Sequence, residues 1–332
     1  MNKFEKMIAS ATDYMIYVMK LNKEDAILIV TDELSKSIAD AFHEAAVNYG
    51  CAAEIYFLPE KNRPLSEIPP EMSELAKGKT IIINIFKGMG EETPFRSKWI
   101  KQIIATKSIR LAHGPSITKS MMVEGPMNID YEKMGVTADK LIKNFENAKV
   151  VHVTAPGGTD IIMDIEDRAF STDVRIVRHP YFANLPCGEI WCGPNESCAN
   201  GMIVCDGSIG DLGKVKKPLK ISVKNGKMIK LESKDQKLVK QVEKLTNIDD
   251  EARIIGELGI GLNPGARLSG ILLEDEKALN TAHIAFGNNE EMKGGQNKSK
   301  THRDFLFYNP TMIVTYKDGS KKVVINNGEF CF

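Results

Sequence analysis

From residue 26 to residue 112 the chain repeats one unit, a short continuous apolar run followed by a stretch with helical periodicity. The runs are 26–30 (AILIV), 53–58, 80–86 (TIIINIF) and 107–112. A strand with one wet face alternates apolar and polar residues, whereas a strand buried on both faces is apolar throughout. The first run ends in Thr31-Asp32, and the stretch 35–49 then puts Ile38, Phe42, Ala45 and Ala46 on one helical face. Upstream, Phe4, Met7, Ile8, Ala11, Met15 and Val18 recur at helical spacing among Lys3, Glu5, Lys6, Asp13 and Lys20. That pattern reads as an amphipathic helix of the mature fold and not as a signal peptide. Together these features predict a Rossmann-like, doubly wound α/β domain over residues 1–150, its parallel sheet covered on both faces.

Beyond about residue 150 the pattern changes. Asn225-Gly226, inside PLKISVKNGKMIKLES, is a strong hairpin signal, and Asp318-Gly319 between MIVTY and KKVVI is a second. One clear helix is expected at 234–245. Residues 151–332 are therefore expected to form a β-rich α+β domain, apposed to the first without a low-complexity linker.

Of the 332 residues, 44 are Lys or Arg and 44 are Asp or Glu, so the formal net charge is zero. This balance argues against nucleic acid or an anionic membrane as partner, since both reward a basic surface. A small molecule or short peptide fits better. No apolar run approaches the roughly 20 residues that span a bilayer. The six cysteines, Cys51, Cys187, Cys192, Cys198, Cys205 and Cys331, are too few for a disulfide scaffold and suit a reduced, cytoplasmic setting. The cluster from Cys187 to Cys205 has no C-x2-C spacing, so buried thiols are expected there in place of a metal knuckle. Gly256-x-x-Gly259-x-Gly261 does not match a nucleotide-binding loop. His43, His152 and His179 read as structural.

Two segments carry candidate ligands. As a strand, Thr301–Tyr308 (THRDFLFY) places His302, Asp304, Leu306 and Tyr308 on one face, where imidazole and carboxylate can converge on one ion. In 281–287 (TAHIAFG) the face with His283 is small and polar, and the other face, Ala282, Ile284 and Phe286, belongs to a core. Glu189 follows the Pro186/Gly188 bend in NLPCGE, and Glu257 interrupts the apolar run IIGELGIG. A buried carboxylate is costly unless paired or coordinated, so each is either a ligand or half of a salt bridge. The acidic triplet Glu274-Asp275-Glu276 beside Lys277 offers another group, or only a solvated turn. Two histidines and one carboxylate suffice for a single open-sided ion, and five N/O ligands can hold two.

The residues 256–289 (GELGIGLNPGARLSGILLEDEKALNTAHIAFGNN), then Gly294-Gly295 and 301–305 (THRDF), resemble the aminopeptidase T family of thermophilic metallopeptidases. So do 184–201 (NLPCGEIWCGPNESCANG), leading into 203–209, and Gly158-Thr159-Asp160. The resemblance implies that Glu189 and Glu257 are metal ligands and the catalytic carboxylates, with His283, His302 and Asp304 completing a site for one or two divalent ions (zinc, cobalt or iron). It implies attack of a metal-activated water on an N-terminal peptide or small amide bond, a carboxylate shuttling the proton. It also implies a homodimer or higher homo-oligomer. Two departures stand out. The chain is short between Gly287 and Asp304, and Asn288-Asn289-Glu290-Glu291 follows the His-x-Ala-x-Gly motif, where the family carries a tyrosine. The alternative is a shorter relative of the same fold, 2,5-dihydroxypyridine 5,6-dioxygenase, which resembles this chain in the trio corresponding to His283, His302 and Asp304 on one Fe(II). In that reading His113, within RLAHGP, corresponds to a substrate-binding histidine.

Overall fold

The computed structural model describes residues 1–177, 179 and 181–332. Two compact units divide the chain, one from Met1–Gly135 with Asp173–Cys187, the other from Val136–Thr172 with Gly188–Phe332. The break falls inside the helix Tyr131–Phe145, earlier than residue 150, and the chain returns to the first unit for one short segment.

The first unit is built on a five-stranded parallel sheet in the order Ala52–Phe57, Ala26–Thr31, Ile81–Ile85, Arg110–His113, Phe182–Asn184. Both faces are covered. Leu28, Val30, Ile82 and Leu111 pack in one cluster with Phe95, Trp99 and Ile103 of the helix Thr93–Ala105. The alternate residues Ile27, Ile29, Ile81 and Ile83 are fully buried as well. The four expected runs are all strands of this sheet, but the fourth begins at Arg110, because Lys107 takes a left-handed φ of 57° that ends the preceding helix. The helix Lys3–Tyr17 starts with a capping box, Asn2 accepting from the Glu5 N–H at 2.9 Å while Glu5 accepts from the Asn2 N–H.

The second unit holds two antiparallel sheets. The eight-stranded one runs Lys227–Glu232, Leu219–Lys224, Ala199–Cys205, Asp160–Asp164, Ala148–Thr154, Thr311–Tyr316, Lys321–Asn326, Glu329–Phe330. Both expected hairpins lie in it. At Asn225-Gly226 the φ values are 49° and 74°, the paired positive values a tight hairpin turn requires. The seven-stranded sheet runs Gly213–Lys214, Ser208–Ile209, His302–Tyr308, Thr281–Gly287, Ile255–Gly261, Glu189–Cys192, Ser171–Thr172. The expected helix spans Gln236–Thr246, capped by the Asp235 carboxylate. No helix among the described residues is long and apolar enough to cross a membrane.

Candidate metal centre

Four adjacent strands of the seven-stranded sheet carry the site on one face. Gly261 lies opposite Glu189, Gly259 opposite His283, Ala285 between Glu257 and Asp304, and Gly287 opposite His302. Directly paired residues in a sheet share a face, so the five ionisable side chains stand among glycines and an alanine and can lean together. The other face, with Ile190, Leu258, Ile260, Ile284, Phe286 and Phe305, is buried core. Two glycines of the GELGIG run are steric necessities. A Cβ at Gly259 would lie on the His283 imidazole, and one at Gly261 would strike the Ala278 carbonyl.

His283 Nε2 stands 3.4 Å from Glu257 Oε1, 3.5 Å from Glu189 Oε2 and 4.0 Å from Asp304 Oδ1. His302 Nε2 stands 2.9 Å from Glu257 Oε2 and 3.4 Å from Asp304 Oδ1. Glu257 thus gives one oxygen to each histidine. The potential ligand atoms form two trios, Glu189–Glu257–His283 and Glu257–His302–Asp304, each with its atoms within 4.8 Å of one another. His302 lies at the open edge, its side chain 31% exposed, and the other four residues are buried.

The tautomer of His302 follows from its neighbour. Its Nδ1 is 2.7 Å from the Asn288 carbonyl oxygen, which only accepts, so Nδ1 carries hydrogen and Nε2 is the nitrogen aimed at the carboxylates. This is how metal-ligating histidines are commonly braced. Asn288 and Asn289, where the family pattern has a tyrosine nearby, are thereby bracing residues. Asn289 Nδ2 donates to Glu196 Oε1 (2.9 Å) and to the Gly256 carbonyl (3.3 Å), tying the loop to the Glu257 strand.

Electrostatics in the cluster call for cations. Burial works against a charged His283, yet its hydrogen bond to Glu257 and the charges of Glu189, Glu257 and Asp304 prevail and raise its pKa to about 9. His302 rises well above the usual histidine range because the charge and hydrogen bond of Asp304 likewise override burial. Burial alone would raise Glu257 and Asp304. Hydrogen bonds from His283 and His302 hold Glu257 well below the usual range, and His302 lowers Asp304.

Two further ionic groups adjoin the cluster. Lys277 is fully buried, its ammonium bonded to Glu189 Oε1 and, at 2.8 Å, to Glu276 Oε1. The acidic triplet is therefore no solvated turn. Glu274, Asp275 and Glu276 are buried, Asp275 accepts the backbone N–H groups of Ser269 and Gly270, and Glu274 accepts that of Arg267. Glu189 thus has one oxygen in a salt bridge and the other facing His283.

His113 lies in the first unit, at the end of its strand and buried. Trp99 Nε1 donates to Asn84 Oδ1 (3.1 Å), which turns the Asn84 amide nitrogen toward His113 Nδ1 (3.0 Å). Nδ1 accepts, so Nε2 carries the hydrogen, and burial aided by Arg96 lowers the pKa to about 3. His152 has the partner its sequence context did not supply, Asp160 Oδ1 at 2.8 Å. All six cysteines are free thiols, and Cys198 is exposed where a buried strand position was expected.

The donor set fits a divalent cation on the chemistry of its atoms alone, with imidazole nitrogens and carboxylate oxygens in two trios and a surplus of negative charge. The sequence description of the thermophilic metalloproteases (M29) matches residues 121–330, more than half of the chain and all of this site. The chain belongs to the M29 family of thermophilic metalloproteases. Aminopeptidase AmpS of Bacillus subtilis (strain 168) is 23% identical over 273 residues, covering 75% of this chain and 62% of that protein. The chain thus spans less than two thirds of the length of that aminopeptidase. Two solved structures share the fold. The 2,5-dihydroxypyridine dioxygenase of Pseudomonas putida KT2440 gives a TM-score of 0.74 at 17% identity, covering 98% of this chain and 97% of that one. Wild-type AmpT of Thermus thermophilus gives 0.70 at 14%, covering 99% of each.

Proposed function

We propose that this M29 member is a metal-dependent hydrolase of aminopeptidase type, cleaving an N-terminal peptide bond or a related small amide. The observation that carries this is the shared position of Glu257, with one oxygen toward His283 and Glu189 and the other toward His302 and Asp304. A carboxylate so placed suits two ions, one held by Glu189, Glu257 and His283, the other by Glu257, His302 and Asp304. Zinc, cobalt and iron all suit these donors. When bound, such ions supply Lewis acidity at a polarised carbonyl and lower the pKa of water.

The chain itself supplies position and proton transfer. Asn288 fixes the His302 ring, and the apolar face of the sheet fixes the strands from behind. Proton transfer from the attacking water to the leaving amine falls, on the family resemblance, to a carboxylate of the site. His113, neutral and presenting Nε2–H, suits a hydrogen-bond donor to a ligand and not a base. The six free thiols favour a cytoplasmic setting, and the family resemblance a homodimer.

A second reading, a mononuclear Fe(II) ring-cleaving dioxygenase using His283, His302 and Asp304, draws support from the dioxygenase of similar length and fold. Metal analysis of anaerobically purified protein, with aminoacyl-anilide hydrolysis and O2 uptake assayed in parallel, separates the two. Two zinc or cobalt ions with anilide cleavage are expected. One iron with O2-dependent loss of a dihydroxypyridine would overturn the hydrolase.

A further inference from the structure

We propose that Lys277 is a positioning residue for Glu189, its buried ammonium holding Oε1 so that Oε2 is presented to the ion shared with Glu257 and His283. The inference rests on the metal-site reading above and adds to it the group that aims one ligand.

The geometry divides the two oxygens of Glu189. Oε1 bonds the Lys277 ammonium, and Oε2 faces His283 Nε2 at 3.5 Å. A carboxylate gripped through one oxygen has lost the rotation that would otherwise let it swing between one-oxygen and two-oxygen binding. Lys277 is itself held at both ends. Glu276 Oε1 takes its ammonium from the other side at 2.8 Å. Its backbone donates to the Glu274 carbonyl (3.1 Å) and accepts from the Asn263 N–H (2.8 Å), while Leu279 donates back to the Asn263 carbonyl (3.1 Å). The missing Cβ of Gly261, the register partner of Glu189, lets the Ala278 carbonyl lie against that strand. The lysine backbone is thus fixed relative to the strand that neighbours Glu189.

A fully buried ammonium is a poor device for stability, because desolvation offsets much of what its ion pairs return. Ligating carboxylates, by contrast, are commonly held by hydrogen bonds from outside the ligand set, and losing such a partner costs about 10–100-fold in metal affinity. A purely structural lysine would merely neutralise Glu189 and Glu276, and its loss would lower thermal stability without touching metal affinity.

The test is a Co2+ titration of the metal-stripped full chain, followed by equilibrium dialysis and visible absorption. The wild type is compared with Lys277→Met, Glu189→Gln, their combination, and Glu276→Gln. Lys277→Met is expected to weaken Co2+ binding by about 10–100-fold. Glu189→Gln is expected to weaken it at least as much, and the combination no further than Glu189→Gln alone. Glu276→Gln should remain near the wild type. Wild-type affinity in Lys277→Met, or losses in the two single variants that multiply in the combination, would overturn the proposal. A wild type that takes up no Co2+ would instead overturn the metal site itself. Should Lys277→Met fail to fold, the same substitution together with Glu276→Gln removes the stranded carboxylate and carries the same comparison against Glu276→Gln.

Discussion

At the scale of single residues, His283 can reach its carboxylates only because position 259 has no side chain. Gly259→Ala would put a methyl group on the imidazole, so the ring must leave. The expected result is a loss of metal affinity of tenfold or more, comparable with other disturbances of ligand support, in a protein whose circular dichroism is unchanged. Metal analysis after dialysis checks it. The raised histidines give a second prediction. An ion arriving at neutral pH must displace the proton on His283 and that on His302, so binding releases protons and tightens as pH rises toward about 9. Calorimetry in two buffers of different ionisation enthalpy measures that release, and a pH-independent affinity between 6 and 9 would contradict it. In the metal-free chain the sign is opposite. His283 contributes stability that is fully present below 6.5 and is lost as pH rises through about 9. Most of the candidate ligands were legible in the sequence, since a carboxylate inside an apolar run and a His-x-Asp pair on a strand are conspicuous. For the triplet Glu274-Asp275-Glu276 beside Lys277 the sequence left a further group and a solvated turn both open. Charged residues in succession look solvated, and the capping of the 267–270 loop by Glu274 and Asp275 is a contact with no periodicity to betray it.

At the scale of elements, hydrophobic period identified the first four strands of the parallel sheet, and Asn-Gly and Asp-Gly identified both hairpins. The fifth strand, Phe182–Asn184, escaped because three residues carry no period and it arrives long after its neighbour. A loop residue also escaped. Arg63, its side chain only 6% exposed, joins the ends of two parallel strands through Asp32 Oδ2 (2.6 Å), Glu92 Oε2 (2.7 Å) and the Lys87 carbonyl (2.7 Å). Removing one member of such a buried network strands the opposite charges. Arg63→Met is therefore expected to cost about 3–5 kcal/mol in urea unfolding. Burial pushes Asp32 and Glu92 up, but hydrogen bonds from the Lys87 N–H and Arg63 to Asp32, and from Arg63 and the Leu65 N–H to Glu92, leave both below their ordinary values. Their stabilisation is present above the usual carboxylate range and is lost as pH falls below it, through their lowered folded-state values. Arg63→Met should flatten this acid limb, and an unaltered limb would contradict the assignment.

At the scale of the whole molecule, the chain divides into two units, one with a parallel sheet and one with antiparallel sheets. The return of residues 173–187 to the first unit was not announced, since nothing in a short loop-rich stretch says which sheet it will join. The fold is shared with AmpT of Thermus thermophilus and with a dioxygenase, while the sequence also matches an aminopeptidase, so the fold does not choose the chemistry. The proposed hydrolase reading rests on Glu189 and Glu257, which the sheet brings to the histidines. Glu257 belongs to both trios, so the most direct measurement is the metal content of Glu257→Gln beside the wild type after reconstitution and dialysis. The account predicts two divalent ions in the wild type and a content near zero in the variant. Wild-type content in Glu257→Gln would contradict it.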